Sequence, residues 1–210
     1  MCQLIRPRDT LVTHQERRYM DFLSSKVTTI LIVINIVIFL LETKDGGSTN
    51  RDVALKYGAQ YQPYIRQGQY YRLFTAMFLH FGVYHLLLNM YALSAIGPAV
   101  DYVCGPVIFL IVYLGAGLAG NIATMILDEK RGSSNLSAGA SGCIFGLLGA
   151  CFVLAAAGYG FSMRSILTTL AINLVYGLSS KRINMMSHAG GFVGGAAIMA
   201  VILAVLGMRG

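Results

Sequence analysis

One stretch of the sequence decides the fold: residues 102–127, which read YVCGPVIFLIVYLGAGLAGNIATMIL and contain no Asp, Glu, Lys or Arg. About 20 apolar residues are enough to cross the hydrocarbon core of a bilayer as a helix. Further uncharged stretches lie at 27–41, 73–100, 132–163, 165–180 and 183–208. Four of the six stretches exceed that length, and a flanking Lys or Arg can extend the two shorter ones toward the interface. The pattern predicts a helical protein that crosses a membrane repeatedly.

The composition excludes soluble, disordered and disulfide-rich classes of protein. Apolar residues make up 56% of the chain and charged residues 12%, against about 25% charged residues in a typical globular protein. The net charge is +7, but the basic residues fall between the apolar stretches, which favours contact with lipid headgroups over binding of nucleic acid. The four cysteines show no paired spacing, so we expect neither a metal site nor a cofactor.

The chain divides into a short basic segment, 1–23, and a membrane domain, 24–210. By the positive-inside rule, the basic segment is expected to be cytoplasmic. The first span lacks a small-residue cleavage site and is expected to be a retained anchor. We predict an all-α membrane protein with six transmembrane helices at about 24–42, 82–100, 106–127, 138–158, 163–179 and 187–207. The tyrosine-rich connection between the first two spans suits a segment half-buried in the interface.

The sequence from Gly115 to Gly120 matches the dinucleotide-binding pattern G-x-G-x-x-G. That pattern binds a pyrophosphate only where it follows a strand and opens a helix. Here it lies in the middle of an uncharged membrane stretch, so we interpret these glycines as sites of close helix packing.

Ionisable residues inside membrane segments are costly and therefore mark functional sites. The candidates are His80, His85 and His188, and Asn89 follows His85 by one helical turn on the same face. The second, fourth and sixth spans must begin on the same side of the membrane. His85, Asn89, Ser141 and His188 lie near the beginnings of these spans, so we expect them at similar depth on one side.

Small residues form two stripes beside these candidates. Gly142, Gly146 and Ala150 follow Ser141, while Gly191 and Gly195 follow His188 on its own face. Such stripes allow helix backbones to approach closely in lipid. If the stripes face each other, Ser141 and His188 come within hydrogen-bond reach, as a nucleophile and its base. Taken singly, Ser141 is compatible with a packing role and His188 with a hydrogen bond to a backbone carbonyl.

The complete pattern is Tyr71-Arg72, then His80-x4-His85-x3-Asn89, then Gly139-Ala140-Ser141-Gly142, then His188-x2-Gly191-x3-Gly195. It resembles the rhomboid family of intramembrane serine proteases, and the resemblance implies a rhomboid-like bundle of six helices. It also implies that Ser141 is the nucleophile, that His188 is the general base, and that His85, Asn89 and the Ser141 N–H form the oxyanion hole. His80 and Arg72 would be structural residues that hold the long first loop, and Gly139 and Gly142 would support the site.

Two positions depart from the family pattern. Tyr71 stands where the family commonly has Trp, and Phe145 stands where it commonly has Tyr. Both changes keep an aromatic face, so they alter local hydrogen bonds more than the predicted chemistry. The second, fourth and sixth spans contain no Asp or Glu. We therefore predict a Ser141–His188 dyad in which the face of Phe145 holds the imidazole in place of a carboxylate.

A protease of this kind would act on single-span membrane proteins within the lipid bilayer, with its active site toward the outer side of the cell membrane. The bulky fifth span, 163–179, is the expected lateral gate for such substrates. The sequence carries no indication of an oligomeric state. Alternatives are a zinc enzyme with ligands His80, His85 and His188, which would lack a nearby general base, a non-catalytic rhomboid-like protein, and a transporter.

Overall fold

The computed structural model describes residues 25–179 and 184–207, and the predicted basic segment 1–23 lies outside these ranges. Most of the described chain is helical, which confirms the predicted class. The helices are α1 (Lys26–Lys44), α2 (Arg51–Tyr57), α3 (Gln62–Arg66), α4 (Arg72–Thr75), α5 (Val83–Arg131), α6 (Ser141–Ala156), α7 (Met163–Ser179) and α8 (Met185–Val205), with a 3₁₀ turn at Ala76–Phe78. Two short strands, β1 (Gln60–Tyr61) and β2 (Leu136–Ser137), pair antiparallel.

Three of these helices, α1, α5 and α8, are long and apolar enough to cross a membrane. The apolar segments Ser141–Ala156 and Met163–Val175 are shorter than that length. Together with the hydropathy of the chain, these helices identify a membrane protein.

Helix α5 has 49 residues and would extend about 74 Å if it were straight. It contains a break at Gly105, whose φ of 78° and ψ of 163° are not helical, and Pro106 follows directly. Glycine adopts a positive φ without strain, and proline suits the first turn of a helix, so the chain turns here and starts a new helix. The break falls where the sequence predicts the end of one span and the start of the next.

The two halves of α5 fold back on each other. His85 in the first half and Gly120 in the second half both lie beside the beginnings of other helices: a Cβ built on Gly139 would be 2.9 Å from His85 Nε2, and one built on Gly120 would be 2.5 Å from the Ser187 carbonyl oxygen. The beginning of the first half and the middle of the second half therefore both lie beside the predicted active-site residues.

Helix α6 packs against both α5 and α8. A Cβ on Gly191 would collide with the backbone of Gly142, and one on Gly195 would collide with the backbone of Gly146. The predicted contact between the two glycine stripes is thus confirmed. Gly149 extends the contact, since a Cβ there would collide with the Phe192 carbonyl. Of the G-x-G-x-x-G residues, Gly117 leaves room for the Cys143 side chain, which confirms their packing role.

The predicted boundary of the fourth span needs a correction. The prediction begins at residue 138, but α6 begins at Ser141, because Gly139 has a φ of 136° and cannot continue a helix. Strand β2 (Leu136–Ser137) precedes this segment and pairs with β1 of the first loop. This pairing fixes the first loop to the segment that leads into Ser141.

Candidate active site

Ser141 is the first residue of α6 and is half-buried. The three residues before it connect β2 to α6. Among them, the Gly139 N–H donates to the Ala76 carbonyl at 2.9 Å. The first N–H groups of a helix have no acceptor within that helix. The Ser141 N–H is therefore free of the hydrogen bonds within α6.

His188 lies in the first turn of α8, half-buried, and its N–H donates to the Asn184 carbonyl at 3.2 Å. Its imidazole is stacked on the ring of Phe145, with centroids 4.1 Å apart and an angle of 14° between the planes. Since Phe145 follows Ser141 by one turn of α6, the stacking holds the imidazole against the helix that begins with Ser141. Among the described residues, no hydrogen bond joins Ser141 Oγ to His188, and His188 Nδ1 has no hydrogen-bond partner. Hydrogen bonds between catalytic groups are often long in the absence of substrate and shorten in its presence.

The orientation of His85 is fixed by the chain that precedes α5. The Phe81 N–H donates to His85 Nδ1 at 3.3 Å, so a neutral imidazole carries its proton on Nε2. A Cβ built on Gly139 would lie 2.9 Å from His85 Nε2 and 3.7 Å from Ser141 Oγ. Both atoms therefore border the space that Gly139 leaves open by having no side chain, and any larger residue there would fill it.

Asn89 is buried, with 6% of its surface exposed. Its Nδ2 donates to the His85 carbonyl one turn earlier at 2.8 Å. An amide group has two N–H donors, so the second remains for another acceptor. Asn89 and His85 thus lie on one face of α5, as the sequence predicts.

The sequence predicts His80 inside a membrane segment, but it lies in the loop before α5, outside the membrane-spanning helices, and is fully buried. Its ring lies edge-on to that of His85, with centroids 5.1 Å apart and an angle of 66° between the planes. Burial, together with the neighbouring His85, lowers the pKa of His80 to about 3. His80 is therefore a neutral packing partner behind His85 near neutral pH.

Arg72 is buried in the first loop and binds backbone atoms there. Its guanidinium donates to the carbonyls of Leu55 at 2.9 Å and Ala59 at 3.0 Å and lies over the rings of Tyr64 and Tyr71. The tyrosine at position 71, where the family commonly has Trp, thus still presents an aromatic face to this arginine.

In the ranges that the structure describes, no three His, Cys, Asp or Glu side chains are grouped so that they could hold a metal ion. His80 and His85 are neighbours, but His188 does not join them in such a group. The zinc alternative therefore has no ligand set in this part of the chain.

A set of buried and half-buried polar residues beside the site was not predicted from the sequence. Asn184 caps α8, and its side chain also binds Ser137 of β2 and Thr124 of α5. Asn121 of α5 is buried, and it donates to the Leu73 carbonyl at 2.8 Å. An asparagine before an apolar helix is a recognisable N-cap signal, but its partners come from distant parts of the chain and cannot be read from spacing.

The chain is similar to known proteins over most of its length. The family model described as "Rhomboid domain" matches residues 67–205. The chain is 38% identical over 172 residues to "Rhomboid protease GluP" of Bacillus subtilis (strain 168). This match covers 80% of this chain and 33% of that protein. It is 35% identical over 136 residues to "Putative rhomboid protease YdcA" of the same organism, covering 62% of this chain and 66% of that protein. "RHOMBOID-like protein 5" of Arabidopsis thaliana is 29% identical over 154 residues, covering 70% of this chain and 49% of that protein. The chain therefore spans a third to two thirds of the length of the curated relatives it matches.

Proposed function

Since this chain belongs to the rhomboid family, we propose that it is a serine endopeptidase that hydrolyses membrane proteins within or beside their transmembrane segments. The observation that carries the proposal is the meeting of α6 and α8 at their first turns. Gly142 and Gly191 touch there, and the imidazole of His188 is stacked on Phe145. This arrangement holds a serine and a histidine at the same end of two helices in close contact.

In the proposed reaction, Ser141 Oγ attacks the scissile carbonyl and His188 accepts its proton. His188 then returns a proton to the leaving amine, and water hydrolyses the acyl-enzyme in a second step. No Asp or Glu occurs in the first helical half of α5 up to residue 100, in α6 or in α8. The stacking of Phe145 would therefore replace the orienting carboxylate of a triad.

The oxyanion that forms during attack needs donors aimed at it. We assign this role to three groups: His85 Nε2–H, the second N–H of the Asn89 side chain, and the Ser141 N–H. The assignment is supported by the open space at Gly139, which both His85 Nε2 and Ser141 Oγ border. His80 and Arg72 act indirectly, by holding His85 and the first loop.

We further propose that the chain crosses the membrane six times. The six spans would be α1, the two halves of α5 on either side of Gly105, α6, α7 and α8. With a cytoplasmic N-terminus, the beginnings of the second, fourth and sixth spans face the outer side of the cell membrane. His85, Ser141 and His188 lie at these three beginnings, so the proposed topology would put the site toward the outer side.

The proposed substrates are single-span membrane proteins that reach the site from the lipid. A helix hides its carbonyls in its own hydrogen bonds, so the substrate must unwind locally before attack, which favours Gly, Pro and small residues near the cut. Helix α7 is the proposed gate. It packs mainly against α6, and bulky side chains along it are exposed, including Ile172 at 64% and Val175 at 66%.

The test is cleavage of a model transmembrane substrate by the reconstituted protein. We expect the wild-type chain to cleave it, and Ser141→Ala and His188→Ala each to abolish turnover. Full activity in either variant would contradict the dyad. A wild-type protein that binds the substrate helix without cleaving it would instead identify the non-catalytic rhomboid-like alternative.

A further inference from the structure

The side chain of Asn184 joins three separate segments of the chain. Its Oδ1 accepts from the Ser187 N–H at 3.0 Å, and its Nδ2 donates to Ser137 Oγ at 2.7 Å and to Thr124 Oγ1 at 3.0 Å. We call this set of hydrogen bonds the Asn184 bridge. It links the beginning of α8 to strand β2 and to the second half of α5.

Two of these segments lead directly into the proposed dyad. Ser137 precedes Ser141 by four residues, and Asn184 precedes His188 by four residues. The main chain of Asn184 is in turn bonded to His188, whose N–H donates to its carbonyl at 3.2 Å. A single amide therefore connects the segment before the nucleophile to the segment before the base.

The third segment fixes the bridge to the rest of the bundle. Thr124 Oγ1 also bonds to the Gly120 carbonyl at 3.0 Å, and Gly120 lies directly against the backbone of Ser187. Thr124 is buried, with 4% of its surface exposed. Hydrogen bonds in such an environment are strong and directional because little water competes for them.

Within the described chain, no hydrogen bond joins Ser141 Oγ to His188. The distance between the two side chains must therefore be set by other contacts. The glycine contacts set how close α6 and α8 approach, but glycines have no side chain that could hold the rotation or the axial position of one helix against the other. The Asn184 bridge supplies directional bonds at the end of the helices where the dyad lies.

We propose that Asn184 is a positioning residue that sets the spacing between Ser141 and His188 through its amide bonds to Ser137 and Thr124. The role rests on the proposed protease function. It is distinct from capping, because the cap uses Oδ1, whereas the bond to Ser137 and the shorter of the two contacts with Thr124 use Nδ2.

Variants can separate the two roles. Asn184→Ser keeps a side-chain oxygen that caps α8, since serine is a favoured N-cap residue, but its shorter side chain cannot reach Ser137 and Thr124. Asn184→Asp keeps the length, and its carboxylate can accept from the two hydroxyl groups and from the Ser187 N–H. Ser137→Ala removes one partner from the opposite side. Asn135→Ser, at an exposed asparagine before β2, is the matched control.

The experiment measures kcat and KM with the reconstituted transmembrane substrate, together with the melting temperature of each variant. We expect Asn184→Ser to lower kcat about tenfold to a hundredfold, as small misplacements of catalytic groups do, with KM and melting temperature close to those of the wild type. Asn184→Asp should restore most of kcat, and Asn135→Ser should match the wild type. Adding Ser137→Ala to Asn184→Ser should cause no further loss, because both changes break the same bond.

Several results would overturn the inference. One is a wild-type kcat in Asn184→Ser, which would leave Asn184 with a capping role only. Another is a loss of kcat accompanied by a similar loss of melting temperature in Asn184→Ser and Asn184→Asp alike, which would indicate general destabilisation. These results apply when the wild-type protein is active and Ser141→Ala is not. If the wild-type protein is itself inert, the proposed function fails and the positioning role fails with it.

Discussion

Phe145 and His188 form a stacked pair, with ring centroids 4.1 Å apart and an angle of 14° between the planes. The pair crosses the contact between α6 and α8 and covers one face of the imidazole. A carboxylate in a triad holds its histidine through a hydrogen bond at one nitrogen, whereas an aromatic face restricts rotation of the whole ring. The position where the family commonly has Tyr thus keeps its contact with histidine when it carries Phe.

Removal of this face should slow the reaction without preventing it. Aromatic pairs contribute about 1 kcal/mol beyond their burial, so we expect Phe145→Ala to lower kcat/KM by roughly three- to tenfold. Phe145→Tyr should keep the wild-type rate because its ring can stack in the same way. The measurement is cleavage of the model transmembrane substrate, and equal rates for Phe145→Ala and the wild type would show that the stacking does not orient His188.

The proposed oxyanion donors should affect kcat more than KM. Loss of one such donor typically costs about 10²–10³ in rate, and we expect this for His85→Ala and Asn89→Ala. Tyr91→Leu is a suitable control, since Tyr91 is exposed on the same helix. If kcat stays at the wild-type value in both variants while Ser141→Ala is inactive, the oxyanion donors must be other groups.

The glycine contacts between α6 and α8 should tolerate no side chain. A Cβ at Gly195 would collide with the backbone of Gly146, which cannot move aside as a flexible side chain can. Gly195→Ala should therefore lower the free energy of unfolding by about 1–3 kcal/mol, the usual cost of overpacking, and Gly195→Leu and Gly146→Leu should cost more and lower activity as well.

The control for these variants is Ala197→Leu, at an exposed position of α8. It changes the size of the side chain without entering the helix contact, so the melting temperature should stay near that of the wild type. Equal melting temperatures for Gly195→Leu and Ala197→Leu would mean that the close contact contributes nothing to stability.

Burial of His80 should make the protein less stable in acid. Its pKa is lowered from 6.5 to about 3, so below pH 6.5 the unfolded chain takes up a proton that the folded chain does not. The contribution of neutral His80 to the free energy of unfolding is fully present above pH 6.5. It is lost as the pH falls toward 3, by at most about 1.4 kcal/mol per pH unit. Between pH 7.5 and pH 5.0, the melting temperature should fall further in the wild type than in His80→Gln. Identical falls would show that His80 does not contribute to the acid sensitivity.

Movement of α7 should be needed for large substrates only. In a background without native cysteines, an engineered disulfide between α7 and the first half of α5 should lower cleavage of a membrane-embedded substrate. Labelling of Ser141 by a small probe should persist, and reduction of the disulfide should restore cleavage. Cleavage of embedded substrates at the full rate with the disulfide closed would indicate another entry route.

Much of this fold could be predicted because lipid restricts what a sequence can do. The uncharged stretches indicate the helices, and small residues repeated every three or four positions indicate where helices touch, as Gly142 and Gly191 do. The side chains of His85 and Asn89 are costly in an apolar span, and this cost alone marks them as candidates for a functional role.

The parts that could not be predicted depend on contacts between distant segments. The pairing of Gln60 with Ser137 involves strands of only two residues, too short to leave a periodic pattern. The amide of Asn184 has three partners from three segments, and only its role as a helix cap is visible locally. The start of α6 depends on the positive φ of Gly139, which the sequence alone does not reveal.

The most direct test of the Ser141–His188 assignment is the reaction of the purified protein with a fluorophosphonate probe, followed by mass spectrometry of the labelled peptide. The probe reacts with an activated serine and needs neither a membrane-embedded substrate nor an open gate. We predict an adduct on Ser141 in the wild-type protein, no adduct in Ser141→Ala, and strongly slowed labelling in His188→Ala. An adduct that is absent from Ser141, or that forms equally fast in His188→Ala, would contradict the assignment.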